Sequence, residues 1–291
     1  MTYFNHLRTF VTVYRCGSHA KAGDVLGLTQ PAVSKQIAAL EAQIGKSLFH
    51  KSGPQRHAAT AAGESLAAQL APHVDQIEQI FNSARSNSKD IFGSVYIGGL
   101  SEFIELHLSH TIAALIPQNI TFMVQDESGR DWITLLENHT LDMAIVPKPH
   151  HSTSIGYREL LCEDLALVVH ANLTKNNDLD ALFNIPFLAH IEKEICTLHY
   201  LKSLQLDTPK FKQGAAVNSF RMMKDLLLEE AGFGIIPLSM IRTEVESGIL
   251  KRIEVPTTIP PLRLYLAWNN FSMQHPRHRF VRDAILESVK I

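Results

Sequence analysis

Little in these 291 residues invites chemistry by cysteine, metal or nucleophile. The three cysteines, Cys16, Cys162 and Cys196, are odd in number and far apart, which excludes a disulfide framework and a CxxC zinc site. No GxSxG, P-loop or HExxH motif occurs, so the chain advertises no nucleophile–base pair, phosphate cradle or zincin helix. His107 and His110 lie three apart and His150 and His151 are adjacent, but no Cys or second close His completes a metal set. Long apolar runs are missing too. The longest stretch without formal charge, residues 106–125, holds two His, one Pro, one Asn and two Gln, too polar to span a bilayer. Arg8 and Arg15 interrupt the N-terminal apolar stretch, so no signal-peptide core is expected. These absences predict a non-enzymatic protein without cofactor, metal or membrane span, in a reducing cytoplasm.

What the chain does have is an ordinary folding composition and an uneven charge. Hydrophobic residues make up 45% and charged residues 19%, which excludes global disorder and suits roughly two domains. The net charge is −2, but residues 1–60 carry seven Lys/Arg against two acids, net +5, while the remainder carries 20 against 27, net −7. A basic head on an acidic body points to an anionic polymer at the N-terminus.

The first 60 residues read as helices. Phe4, Leu7, Val11 and Tyr14 form one helical stripe. Gly17 ends that helix, and Ser18 can cap a second over His19–Leu26. Gly27-Leu28-Thr29 is a short turn. Thr29 is a good N-cap for a third helix with Pro31 in its first turn, Val33, Ile37, Leu40 and Ile44 as its buried face, and Gly45 as its stop. From Leu48 to Thr60 the period fails and a hairpin or wing is expected. Leu66, Leu70, His73, Ile77, Ile80 and Ala84 then alternate steps of four and three, a heptad-like seam for a partner helix, with Pro72 expected to kink or shorten it. Beyond Phe92 strand candidates (95–97, 120–124, 143–146, 165–169, 187–189, 215–217, 234–236 and 264–267) alternate with helices. That predicts an α/β body with parallel sheets, divisible into two similar lobes, and ligand crevices at strand C-terminal ends.

Residues 18–44 have the layout of a helix-turn-helix, whose second helix enters the major groove by its N-terminus. Thr29, Gln30, Pro31, Ser34 and Lys35 occupy that end. Gln can pair bidentately with adenine, Lys can donate to guanine, and Ser reaches phosphate; the same residues would also suit a solvated face. Here the sequence resembles the LysR-type transcriptional regulators. The resemblance is carried by Gly17-Ser18, Ala22, Leu26, the run Thr29-Gln30-Pro31-Ala32-Val33-Ser34-Lys35-Gln36-Ile37, Leu40-Glu41, Gly45, Leu48-Phe49 and Thr60-Ala61-Ala62-Gly63, with weaker matches at residues 141–146 and 232–237. It implies an all-α winged helix-turn-helix over 1–60, a linker dimerisation helix over 61–88, and a two-lobed periplasmic-binding-protein-like effector domain over 89–291. Lobe one would take about 93–161 and 267–291, and lobe two about 162–266. It further implies an interrupted palindromic operator in double-stranded DNA, DNA bending, a dimer or tetramer, a small coinducer between the lobes, and RNA polymerase as a protein partner. Lys51 and Arg56 would be wing contacts to phosphate or the minor groove. Lys51 stands where Arg is frequent, Ala59 where Leu is usual, and Gly23 sits inside the second helix at an expected cost of about 1 kcal/mol.

For the effector, helix N-termini after strand ends mark three places: Gly99-Leu100-Ser101-Glu102, Glu127-Ser128-Gly129 and Asn218-Ser219. The family's coinducer contacts fall at matching positions, which makes Ser101, Ser128 and Asn218 the first choices, with Pro147, Lys148 and His190 at other strand ends. Each Ser or Asn could equally be a helix cap. Glu102 would favour a cationic ligand group and the helix dipoles an anionic one. Some regulators of this family sense oxidants through a cysteine pair in lobe two; no second Cys follows Cys196 within a dozen residues, leaving a single sulfenate sensor open. A redox-responsive or effector-independent regulator is the alternative within the class. A solute-binding-like or catalytic α/β protein with an accessory helical head is the alternative outside it.

Overall fold

The structure, a computed structural model, describes residues 2–51, 58–85, 93–100, 103–125, 131–150, 152–175, 179–191, 212–255 and 258–289. The expected site residues Arg56, Ser101, Glu102 and Ser128, and also Cys196 and His151, lie outside them.

The head forms from local signals. Helix α1 spans Thr2–Cys16, α2 His19–Leu26 and α3 Gln30–Ile44. The Ser18 side chain accepts the Lys21 N–H, the Thr29 side chain accepts the Ala32 N–H, and Gly27 and Gly45 close their helices at φ 66° and 75°, a conformation that favours glycine. Gly23 has a packing reason. A Cβ there would sit 2.6 Å from the Leu28 carbonyl oxygen, so the close turn between α2 and α3 needs the glycine despite its helix propensity. Phe10, Val13, Val33, Ile37, Leu40, Leu48 and Phe49 fill the core. The wing begins as an antiparallel bridge between Phe49 and Ala59, with Thr60 N–H donating to the Leu48 carbonyl. Buried Glu41 accepts the Leu48 and Phe49 N–H groups and so holds the first wing strand to α3.

Helix α4 runs unbroken over Ala61–Arg85, through Pro72. The expected shortening does not occur: Ala67, Ala71 and Val74 are buried in the head core, and that packing outweighs the backbone bond a proline removes. The expected seam is therefore divided. Leu66 and Leu70 pack half-buried on the head, while His73, Ile77 and Ile80, joined by Phe81, are exposed. The side chain of Ala84 lies outside the described ones.

The body contains two five-stranded sheets of matching pattern. The first, in order β2-β1-β3-β10-β4, uses β1 Gly93–Gly98, β2 Ile120–Gln125, β3 Met143–Val146, β4 Ile155–Glu163 and β10 Leu262–Asn269. The second, in order β7-β6-β8-β5-β9, uses β5 Leu165–His170, β6 Phe187–His190, β7 Gln213–Val217, β8 Phe233–Pro237 and β9 Leu250–Arg252. The sheets are mixed rather than parallel. β1, β2 and β3 run parallel, as do β6, β7 and β8, but β10 is antiparallel to β3 and β4, and β5 to β8 and β9. Antiparallel strands are what let the chain cross directly from one sheet to the other, at Asp164 and again before Leu262. Strand β10 lies wholly in the first sheet, so the chain returns to that lobe earlier than residue 267. A π turn over Ile104–Leu108 leads into α5 Ser109–Leu115. The other body helices are α6 Trp132–Glu137, α7 Phe220–Leu228, α8 Leu238–Glu246 and α9 Pro276–Ser288.

Candidate functional site

The exposed end of the head is the N-terminus of α3. Thr29, Gln30, Pro31 and Lys35 all face solvent there, where the first helical N–H groups also point. Ser34 is different. It is half-buried, and its hydroxyl lies 3.1 Å from His19 Nδ1 on α2, so its side chain is engaged within the head. Gln36, one position on, accepts from the Thr9 hydroxyl at 2.7 Å and ties α3 to α1. Lys21, Lys35 and Lys46 are exposed and supply positive charge around the reading end. The Lys51 side chain is exposed, with its Nζ 3.1 Å from Glu41 Oε2, so an approaching phosphate would compete with that carboxylate. His19 was not foreseen; only a partner fifteen residues away in sequence gives it meaning.

In the body the turn after β1 meets the helix after β7, through Glu105 and Arg221. Gly99, at φ 152°, lets the chain leaving β1 pass over β3: a Cβ would sit 2.9 Å from Ile145 Cβ. Pro147 is half-buried and Lys148 exposed just after β3. Asn218 is exposed after β7, and the cap of α7 is Ser219 alone, whose side chain accepts the Met222 N–H at 3.3 Å. His190 is 2% exposed, its ring 4.5 Å from that of Phe220. A pair missed from sequence joins the two lobes here: Glu105, in the π turn after β1, and Arg221, in the first turn of α7, approach to 3.4 Å with both side chains exposed. Such a pair contributes about 0–1 kcal/mol. A separate groove of about 350 Å³ lies between α4 and the first lobe, lined by Gln69, His73, Glu137, His139, Asn270 and Phe271.

Burial pushes the His190 imidazole down to about 4, against a backbone hydrogen bond with Asn218 that works the other way. The folded protein thus holds this ring neutral while the unfolded chain takes up a proton below about 6.5. Stability from this group is complete above pH 6.5, declines as pH falls toward 4, and is flat below. The loss should reach about 3 kcal/mol. Urea unfolding of wild type and of His190→Gln at pH 7.5 and 4.5 measures it; equal pH dependence in the two proteins would refute the assignment.

Among the described residues no group of three or more His, Cys, Asp or Glu is placed to hold a metal ion. No helix among them is long and apolar enough to cross a membrane. His107 lies 3.8 Å from Glu163, an ion-pair distance rather than a ligand set.

Comparison with known proteins agrees with this architecture. Residues 4–64 match the family model of the bacterial regulatory helix-turn-helix protein, lysR family, and residues 90–290 match the LysR substrate binding domain. Relatives include the HTH-type transcriptional regulator AbaB of Streptomyces antibioticus, 27% identical over 270 residues and 89% of each chain. The nitrogen assimilation regulatory protein nac of Escherichia coli is 24% identical over 98% of this chain and 95% of its own. Among solved structures, a full-length OxyR variant from Pseudomonas aeruginosa superposes with a TM-score of 0.70 at 17% identity, covering 100% of this chain and 98% of its own. LysG from Corynebacterium glutamicum with bound effector Arg gives 0.67 at 16%, covering 98% and 97%. A capped, exposed recognition helix on a basic head, joined to two mixed sheets of matching pattern, is thus found where both family models match, and the chain belongs to the LysR family of DNA-binding transcriptional regulators with an effector-binding domain.

Proposed function

We propose that this regulator works as a dimer or tetramer in the cytoplasm, without catalysis of its own, and reads an interrupted palindrome in double-stranded DNA through Gln30, with Lys35 beside it on the same helix. The observation that carries the reading is the N-terminus of α3. Thr29 caps it, and Gln30, Pro31 and Lys35 are exposed on it. Gln30 is the base-reading residue, and Thr29, Pro31 and Lys35 seat the helix. Ser34 contributes through its hydroxyl once His19 shares it, and Lys51 and Arg56 of the wing meet phosphate. A small effector enters between the lobes near Pro147, Lys148, His190 and Asn218, with Ser101, Glu102 and Ser128 on the facing loops. The Arg held by LysG supports a small polar molecule as the kind of ligand this fold takes. RNA polymerase is the partner through which bound regulator acts.

Self-association finds support in one patch. Tyr3, Ile77, Ile80 and Phe81 are 55%, 37%, 61% and 59% exposed, and Phe81 stacks on Phe4 at 6.4 Å. Exposed aromatic and branched side chains grouped on α4 and on the adjoining start of α1 mark an interaction surface.

Binding to a duplex selected by the wild-type protein, measured across a salt series, tests the DNA reading. Gln30→Ala should lose about 1–3 kcal/mol on the preferred site and relax preference at one base pair. Lys35→Ala should weaken all sequences alike and lower the salt slope by about one. Equal, sequence-independent losses for both would show that α3 does not read bases.

A further inference from the structure

Where α1 ends, the head meets the first lobe through buried charges. Arg15 grips Asp75 of α4 with both ends of its guanidinium, Nη1 to Oδ1 at 3.0 Å and Nη2 to Oδ2 at 2.7 Å. Its Nε donates to the His139 carbonyl at 3.0 Å, and the plane lies 4.8 Å over the Tyr96 ring of β1. Its own carbonyl accepts from Gln125 Nε2 of β2 at 3.2 Å. From the other side, Arg277 of α9 stands 3.6 Å from Asp75 Oδ1 and donates through Nε to His278 Nε2 at 3.0 Å. A carbonyl can only accept, so the His278 Nδ1 facing the Ser272 carbonyl at 2.9 Å carries the proton, and the ring is neutral. Asp142 takes the Tyr96 N–H at 2.9 Å. Arg15, Asp75, Asp142, Arg277 and His278 are all buried. Both guanidinium groups face Asp75, and the second carboxylate, Asp142, lies 3.4 Å from His278 Nε2.

An exposed ion pair can slide at little cost, but this buried joint cannot, because lifting the lobe away strips Asp75 of Arg277 and Arg15 Nε of the His139 carbonyl and strands unsolvated charge. The head is therefore either seated in this one register or released from it. The cluster also sits on the strands that reach the effector cleft. Asp142 immediately precedes β3, which ends at Val146 and leads into Pro147, roughly 17 Å from Asp142 at strand rise, and Tyr96 lies three residues before Gly99. We propose that this cluster is a latch that seats the DNA-reading head on the first lobe, with Arg15 as its positioning residue, so that lobe position sets the spacing at which paired recognition helices are presented. The latch rests on the reading of paired half-sites given above.

The test uses the full-length protein and a library of duplexes carrying two half-sites separated by random-length spacers. Arg15→Lys keeps the charge but cannot fork across both Asp75 oxygens and hold the His139 carbonyl. Arg277→Lys weakens the same cluster from outside the head and carries the test if Arg15→Lys fails to fold. Both variants should select the half-site bases chosen by wild type but spread over several spacer lengths where wild type takes one. Amide exchange over residues 138–142 should rise about tenfold in both, reporting release of the docked segment. A folded variant that keeps the wild-type spacing and exchange overturns the latch. Loss of affinity at every spacing alike, with the wild-type spacing still preferred, would reduce Arg15 to a structural role and overturn it too. If wild type itself selects no paired sites, the operator reading fails, and the exchange measurement still decides the latch.

Discussion

Asp75→Ala should destabilise the protein by about 3–5 kcal/mol, far more than any surface substitution on α4, because it leaves two arginines buried without their shared carboxylate. Burial alone would raise the Asp75 carboxyl, but Arg15, bonded to it, and Arg277 beyond hold it well below the usual carboxylate range. Burial likewise opposes the Arg15 charge, and Asp75 outweighs it, keeping the guanidinium above its ordinary value. The two groups therefore stabilise each other only as a pair. Glu78→Ala, three residues along the same helix, removes the partner of the exposed Arg8 and should change stability by about 0.5 kcal/mol or less. Urea unfolding followed by far-ultraviolet circular dichroism compares them. A loss below about 1 kcal/mol for Asp75→Ala would mean that water reaches the cluster.

Ile77→Lys with Ile80→Lys should yield a folded monomer that binds DNA about 10²–10⁴-fold more weakly. Both side chains stand outside the head core in the single chain, so the substitution leaves the fold alone. Against a partner helix it would bury two like charges. Loss of the second half-site contact then removes the gain that linkage gives. Sedimentation of the variant at the concentration used for DNA binding provides the check. A wild-type sedimentation coefficient would place self-association on another surface.

The head was legible because its signals are local. Ser18, Gly27, Thr29 and Gly45 act within four residues of themselves, and the structure caps the helices there. Gly23 read as a flaw in a helix and proved to be a fitting for Leu28, which only the turn's return path reveals. The body was legible as alternation but not as direction. Strand β4, Ile155–Glu163, shows no clean alternation because only its two end residues are buried, and β9 is only three residues long. Neither could be seen by periodicity, and the two strands that run against their sheets, β5 and β10, carry no mark of direction in their own residues. On α4 the buried face belongs to Ala67 and Ala71, too small to register as a stripe, while Leu66 and Leu70 of the expected seam pack half-buried on the head. In the cleft, His190 was placed at the right strand end, but its burial against Phe220 depends on a residue thirty positions away. Least visible of all was the charge cluster, whose members lie 60 and 202 residues apart along the chain; in sequence each is an ordinary surface arginine or aspartate.

The path of strand β10 also fixes an order of events during synthesis. Among the described residues β4 pairs with β10 alone, and β3 reaches β4 only through it. As the ribosome releases the chain from its N-terminus, the strands of the second lobe, residues 165–252, emerge as one contiguous stretch and can close first. The first lobe begins to emerge earlier yet stays open, with one edge of β3 and the whole of β4 unpaired until residue 269 is free. An unpaired edge of that kind is a template for wrong pairing. Nascent chains stalled shortly before Leu262 should thus be the species most prone to aggregate and to recruit a holding chaperone, and those extended past α9 should be released.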